Sequence, residues 1–381
     1  MQDDLFGDLP PAPPSPARPG STPPPTHQAA DADADADAQD APRARRGGIH
    51  PAAWDERLQA LAARLPPTLR LGTSSWSYPG WQGLVWEGAH SEQLLAKKGL
   101  PVYAQHPLLR TVSIDRSFYR PLTASQYLAY AAQVPQDFRF VVKAPSLVTD
   151  ALVRSEGGHG REPNPAFLDP TLALQEFVAP ALEGLGPRTG ALVFQLSPLP
   201  WHLIDRLPEV LERLRALLAA QPALAPAAPD GVLAVEVRDP EWLAPEHLPH
   251  FADVLKSCGA TYCLGLHPRL PPLAEQLHLL RRLWPGPLVC RWNLHAVHGP
   301  QGYADAEALY APYDRLHHPD PEQHALLART IAGITGRGQN AYVTISNHAE
   351  GCAPLTVQRL AERVDALRPE GSAGPMAPAK A

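Results

Sequence analysis

The chain reads as a single (β/α)8 barrel of the TIM type with a disordered N-terminal tail. Eight short β-rich runs recur along it, and segments of helical period separate them. No glycine-rich dinucleotide fingerprint follows the first run, which argues against an open doubly wound sheet. Eight parallel strands, each followed by a helix, close on themselves.

The runs are LRLGTSS (69–75), RTVSID (110–115), FRFVVKA (138–144), GALVFQL (190–196), VLAVEVR (232–238), ATYCLGL (260–266), LVCRWN (288–293) and AYVTIS (341–346). Most are apolar on both faces, as strands buried between a barrel interior and a helical coat must be. Helical spacing predicts helices over 91–106, 123–133, 171–184, 203–220, 245–257, 272–284, 321–336 and 356–367. Ahead of the barrel (69–367), Trp54, Leu58, Leu61 and Leu65 recur at helical spacing, predicting a leading helix over 50–66 opened by Pro51.

Residues 1–48 hold PPAPPSPARPG, STPPPTH and DADADADAQD, which offer few apolar side chains to offset the entropy of ordering. This stretch is expected to be a disordered tether, and 368–381 a disordered C-terminal tail. At 381 residues and 44% hydrophobic, the remainder can bury one large core. The net charge of −6 is concentrated in the tail, where eight Asp face four Arg. The near-neutral barrel lacks the overall basic footprint of a protein that grips nucleic acid through its phosphates, though a local basic groove remains open. Cys258, Cys263, Cys290 and Cys352 show no CxxC spacing and read as buried thiols. The start MQDDLFGD places acids where a signal peptide needs a basic start, so a cytoplasmic location is the expectation.

In such a barrel the chemistry gathers at the carboxyl ends of the strands. The polar residues there are Ser74, Ser75, Asp115, Ser117, Lys143, Gln195, Glu236, Arg238, His267, Arg291, Asn293, Asn347 and His348. Alternation along a strand points Glu236 with Arg238, and Arg291 with Asn293, the same way. Ionisable groups inside a barrel need partners, which leaves two readings. One is a paired network that plugs the barrel. The other is a site for an anionic or polyhydroxylated ligand, with Glu236, Lys143 and Asp115 as catalytic candidates. Arg238, Arg291, Asn293, Gln195, Asn347 and His348 would then bind the ligand. The rings of Trp76, Tyr78, Tyr119 and Trp242 can stack on a ligand or fill a loop cap. Asp115, Glu236, His267 and His348 are thin material for a metal cluster, and His295, His298, His317 and His318 read as surface residues, so no metal or cofactor is expected.

Several motifs in order resemble the YecE-like family, also called domain of unknown function seventy-two. GTSSWSYPGW is similar to its GTSGW-x-Y-x-x-W, TVSIDRSFYR to TVEINSTFYR, and FRFVVKAPSLVTD to FRFAVKAP-x-x-ITH. LVFQLSP, AVEVRDPEW and ISNHAEGCAPLTVQRL match further family segments. The resemblance implies the TIM barrel and marks Trp76, Tyr78, Phe118, Tyr119, Lys143, Gln195, Glu236, Arg238, Trp242, Arg291, Asn347 and His348 as family positions, without an activity. The chain departs from the pattern at Ser113 (Glu in the motif), Asp115 (Asn), and Asp150 and Asp239 (both His), and RWNLH replaces R-F/L-HG.

The expected function is a hydrolase-like acid/base enzyme acting on a phosphorylated, sugar or nucleic-acid ligand. The alternative is a non-catalytic ligand-binding or DNA-metabolism accessory protein. Gln2-Asp3-Asp4-Leu5-Phe6 resembles the short peptide by which bacterial replication proteins dock on the sliding clamp, with Gln2, Leu5 and Phe6 as the contacts.

Overall fold

The structure is a computed structural model and describes residues 48–154 and 160–367. Residues 1–47 of the predicted N-terminal tail, with Gln2, Leu5 and Phe6, and the predicted C-terminal tail lie outside the described residues.

Eight parallel strands close into a barrel in chain order. They are β1 (Leu69–Thr73), β2 (Leu109–Ile114), β3 (Arg139–Lys143), β4 (Thr189–Gln195), β5 (Val232–Glu236), β6 (Thr261–Leu266), β7 (Leu288–Trp292) and β8 (Ala341–Ile345). Strand β8 pairs with β1 from Ala341↔Leu69 to Ile345↔Thr73, which closes the ring. All eight β-rich runs of the sequence are therefore strands of one sheet, each ending one to two residues before the predicted limit except β6. The β1–β2 seam admits no side chain at Gly72, where a Cβ would lie 1.8 Å from the Thr111 carbonyl oxygen.

The barrel interior is layered. At the amino end Arg139 and Arg70 share Asp230, at 2.6 and 3.4 Å. The middle is apolar, built by Val141, Ala191, Val193, Val232, Ala234, Cys263, Val289 and the Tyr342 ring. Above them Ser113 Oγ donates to Thr344 Oγ1 at 3.4 Å, and the upper layer is ionic. The opposite strand faces carry the larger core against the helices, for example Phe194 on Phe177 and Tyr262 on Phe251.

The helices differ from expectation where local chemistry intervenes. The leading helix is Glu56–Arg64, not a helix opened by Pro51, because Asp55 caps it by accepting from the Leu58 N–H at 2.8 Å. His50–Pro51 instead pairs antiparallel with Trp86–Glu87. The predicted 91–106 helix breaks at Gly99 into Glu92–Lys98 and Leu100–Tyr103, with Pro101 starting the second piece. The 171–184 segment carries a π-helical turn at Leu174–Val178. The 203–220 segment divides into Trp201–Ile204 and Leu207–Ala219. Two additions were not foreseen: a hairpin of Leu152–Arg154 with Gly160–Pro163 after β3, and a helix Tyr303–Tyr310 between β7 and β8. The four cysteines are free thiols, but Cys258 is only half-buried while the other three are buried. No helix among the described residues is long and apolar enough to cross a membrane.

Candidate functional site

The upper layer begins with strand register. Gln195 and Glu236, the last residues of β4 and β5, are register partners, and Arg291 on β7 is paired with Gly265 on β6. Gly265 lies beside this layer. A Cβ there would crowd Leu270 Cδ1 at 2.7 Å and come into ordinary contact with Glu236 Oε1 at 3.5 Å and Arg238 Nη1 at 3.7 Å.

Glu236 is the hub and is fully buried. Its Oε1 lies 2.7 Å from Arg238 Nη1 and accepts from Asn293 Nδ2 at 3.2 Å, while Oε2 accepts from Arg291 Nη1 at 2.8 Å. Gln195 Oε1 accepts from Arg238 Nη2 and Arg291 Nη1, both at 2.8 Å. Arg291 reaches across the mouth with its other nitrogen, Nη2, to Asp115 Oδ2 at 2.7 Å. Burial alone would lower the Arg291 guanidinium, but the Asp115 and Glu236 carboxylates more than reverse this and hold its pKa well above the ordinary value. Six predicted residues, Asp115, Gln195, Glu236, Arg238, Arg291 and Asn293, thus form one hydrogen-bonded cluster. The paired network anticipated from sequence is present within it.

Asp115 differs from Glu236 in how its oxygens are used. Its side chain as a whole is 14% exposed and Oδ2 is held by Arg291, while Oδ1 is itself buried and has no hydrogen-bond partner among the described residues. The turn that follows, Arg116–Tyr119, is tied down by Ser117 Oγ, which lies 2.6 Å from the Lys143 carbonyl oxygen and 3.0 Å from that of Ile114. Lys143 ends β3 nearby, its Nζ 3.8 Å from the centre of the Phe118 ring.

Asn347 is not turned into this cluster. Its Oδ1 accepts from the Ala353 N–H at 2.8 Å and the Trp81 indole at 3.2 Å, binding the start of the last helix to the loop after β1. His348 sits beside Ser346 (3.1 Å) and the Tyr313 hydroxyl (3.2 Å). Burial, helped by His298, pushes its pKa down to about 4, so it is neutral near pH 7. His267 Nδ1 accepts from the Arg269 N–H at 3.1 Å. Among the described residues no group of three or more His, Cys, Asp or Glu is arranged to hold a metal ion.

The aromatic residues divide. Trp242 is fully buried against Phe251 rather than offered at the mouth. Trp76 packs edge-on to Tyr130, and Tyr78 packs on Trp81 and Tyr313, so these rings fill a loop cap. Tyr119, 47% exposed, is the ring of the four that faces solvent. Gly265 was missed as a site position. Its sequence signal is indirect: glycine inside an apolar strand run marks close approach of other groups.

The fold and this cluster can be compared with known proteins. No curated protein matches the chain. Among solved structures it is similar to a DUF72 family protein from Enterococcus faecalis V583, with 18% identity and a TM-score of 0.51 over 78% of this chain and 95% of that one. A DUF72 family protein from Thermotoga maritima MSB8 aligns at 21% identity and a TM-score of 0.47 over 78% of this chain and 99% of that one. At such identities the first likeness speaks for the fold alone. A family model described as "Protein of unknown function DUF72" matches residues 70–380, and on that match, which spans every strand of the barrel from Arg70 onward, the chain belongs to the DUF72 family.

Proposed function

We propose that the protein is an acid–base hydrolase of phosphate esters, with its site at the carboxyl end of the barrel and Asp115 as the base. The observation that carries this reading is the asymmetry between the two carboxylates. Glu236 has both oxygens engaged by guanidinium and amide donors, an arrangement that fixes it in place. Asp115 is oriented through Oδ2 alone, and its Oδ1 is left for a proton. Glu236 in this account holds Arg238 and Arg291 in place, and the cations Arg238, Arg291 and Lys143 at the strand ends favour a ligand rich in anionic oxygen.

The step this supports is attack by water on phosphorus. The water oxygen forms the new P–O bond, its proton passes to Asp115 Oδ1, and the ester oxygen leaves with the electron pair of the broken bond and takes a proton from solvent. A glycosidase is less well served, since it needs two independently acting carboxylates, and Glu236 is committed to the arginines. The sliding-clamp peptide Gln2–Phe6 stays a separate proposal for recruitment and bears on no step of this chemistry.

The test is a panel of chromogenic phosphate mono- and diesters assayed with the parent and Asp115→Asn. Turnover by the parent that falls at least about a hundredfold in Asp115→Asn, with the variant still folded by circular dichroism, is expected of a lost general base. Equal turnover by the two proteins removes Asp115 from the mechanism.

A further inference from the structure

Past the turn that begins at Asp115 lies a recess lined by none of the residues of the ionic cluster. It has a volume of about 240 Å3 and is walled by Phe118, Tyr119 and Pro121 from the turn after β2 and by Leu147 and Val153 from the segment after β3. Three of these are large apolar side chains held in water: Tyr119 at 47% exposure, Leu147 at 39% and Val153 at 50%. Single exposed apolar residues are ordinary, but three converging on one recess mark a surface that binds something.

The recess is joined to the chemistry by covalent geometry. Asp115 and Tyr119 are the two ends of one short turn, so the candidate base and the exposed ring are four residues apart on a segment locked by Ser117. Phe118 is shared, since its ring meets the Lys143 ammonium and also lines the recess, with Tyr119 edge-on at 5.3 Å. Two polar groups of the wall are held by the protein itself. Asn164 Nδ2 donates to the Leu147 and Asp150 carbonyls, both at 2.8 Å, and Asp150 Oδ1 accepts from the Leu152 N–H at 3.2 Å. The recess is of mixed character, with Ser146, Asp150 and Asn164 beside Phe118, Tyr119, Pro121, Leu147 and Val153, and its apolar share is dominated by flat rings, which suits a planar ring carrying a few polar atoms.

We infer that this recess is a subsite for a flat ring carried by the substrate, so that the natural ligand is an organic phosphate whose ring rests on Tyr119 while its phosphate lies against the arginines. This rests on the phosphate reading above and names the class of substrate for that site.

The experiment is calorimetric titration of the full chain with two esters that differ only in the organic group, phenyl phosphate and methyl phosphate, repeated with Tyr119→Ser and Leu147→Ser. Phenyl phosphate should bind the parent about tenfold more tightly, a gap of ~1.4 kcal/mol that one stacked ring can supply. That gap should close in both variants, which change only exposed side chains. Equal affinity of the parent for the two esters overturns the ring subsite while leaving the phosphate site standing. A preference for phenyl phosphate that survives both substitutions places the ring elsewhere and overturns it as well. Binding of neither ester overturns this inference together with the phosphate reading on which it rests.

Discussion

At the scale of single residues, the fate of Glu236 decides how the upper barrel is held. Its carboxylate lies between two guanidiniums in a fully buried position, and desolvation of that many charges is repaid only while the set is complete. Glu236→Ala leaves Arg238 and Arg291 buried without their shared anion, and a loss of ~3–5 kcal/mol in unfolding free energy is expected, measured by urea denaturation. Asn293→Ala, which removes one neutral donor to the same carboxylate, should cost only ~1 kcal/mol. Similar losses for the two variants would show that the ionic cluster is not the structural unit described. Glu236, Arg238 and Arg291 were legible as members of the site because charged residues interrupt apolar strand runs at their carboxyl ends. That Glu236 pairs with these arginines was legible, but the reach of Arg291 from β7 to Asp115 at the end of β2 was not, since it depends on strand register. Asn347 shows the same limit. It follows β8 in sequence, yet the unsatisfied N–H at the start of the last helix and the Trp81 indole take its carbonyl oxygen.

At the scale of elements, the leading segment depends on a histidine that must stay neutral. His106 accepts the Leu108 N–H through Nδ1 at 3.2 Å and packs edge-on to Trp54, just ahead of the leading helix. Burial lowers its pKa to about 3. Because the unfolded chain binds the proton at about pH 6.5 and the folded one does not, stability is fully present above that pH. It is lost as pH falls toward 3, by up to ~1.4 kcal/mol per pH unit. His348, held down to about 4, contributes in the same direction. His106→Gln should therefore melt with a shallower fall than the parent between pH 6.5 and 4, and a slope equal to the parent's would contradict the assignment. The eight strands were legible because a buried parallel strand is apolar on both faces and short. The helix limits were less so: Asp55, Gly99 and Pro101 redirect the chain by local hydrogen bonding and φ restriction that a hydrophobic period does not register. The helix Tyr303–Tyr310 went unseen because its buried residues, Ala306 and Tyr310, are too few to draw a stripe.

At the scale of the whole molecule, the barrel carries arginines at both ends, and the two ends differ in what surrounds them. At the amino end Arg70 and Arg139 converge on Asp230, backed by the Asn340 amide. At the carboxyl end Arg291 holds Asp115, and the turn from Asp115 carries Phe118 against Lys143 and Tyr119 to the recess, which matches where this fold class places its chemistry. The measurement that bears most directly on this polarity is a crystal structure of the full chain soaked with tungstate, a tetrahedral oxyanion visible by anomalous scattering. The account predicts a tungstate peak within hydrogen-bonding distance of Arg238, Arg291 or Lys143. A peak confined to Arg70 and Arg139, with the carboxyl end empty at saturating tungstate, would contradict it.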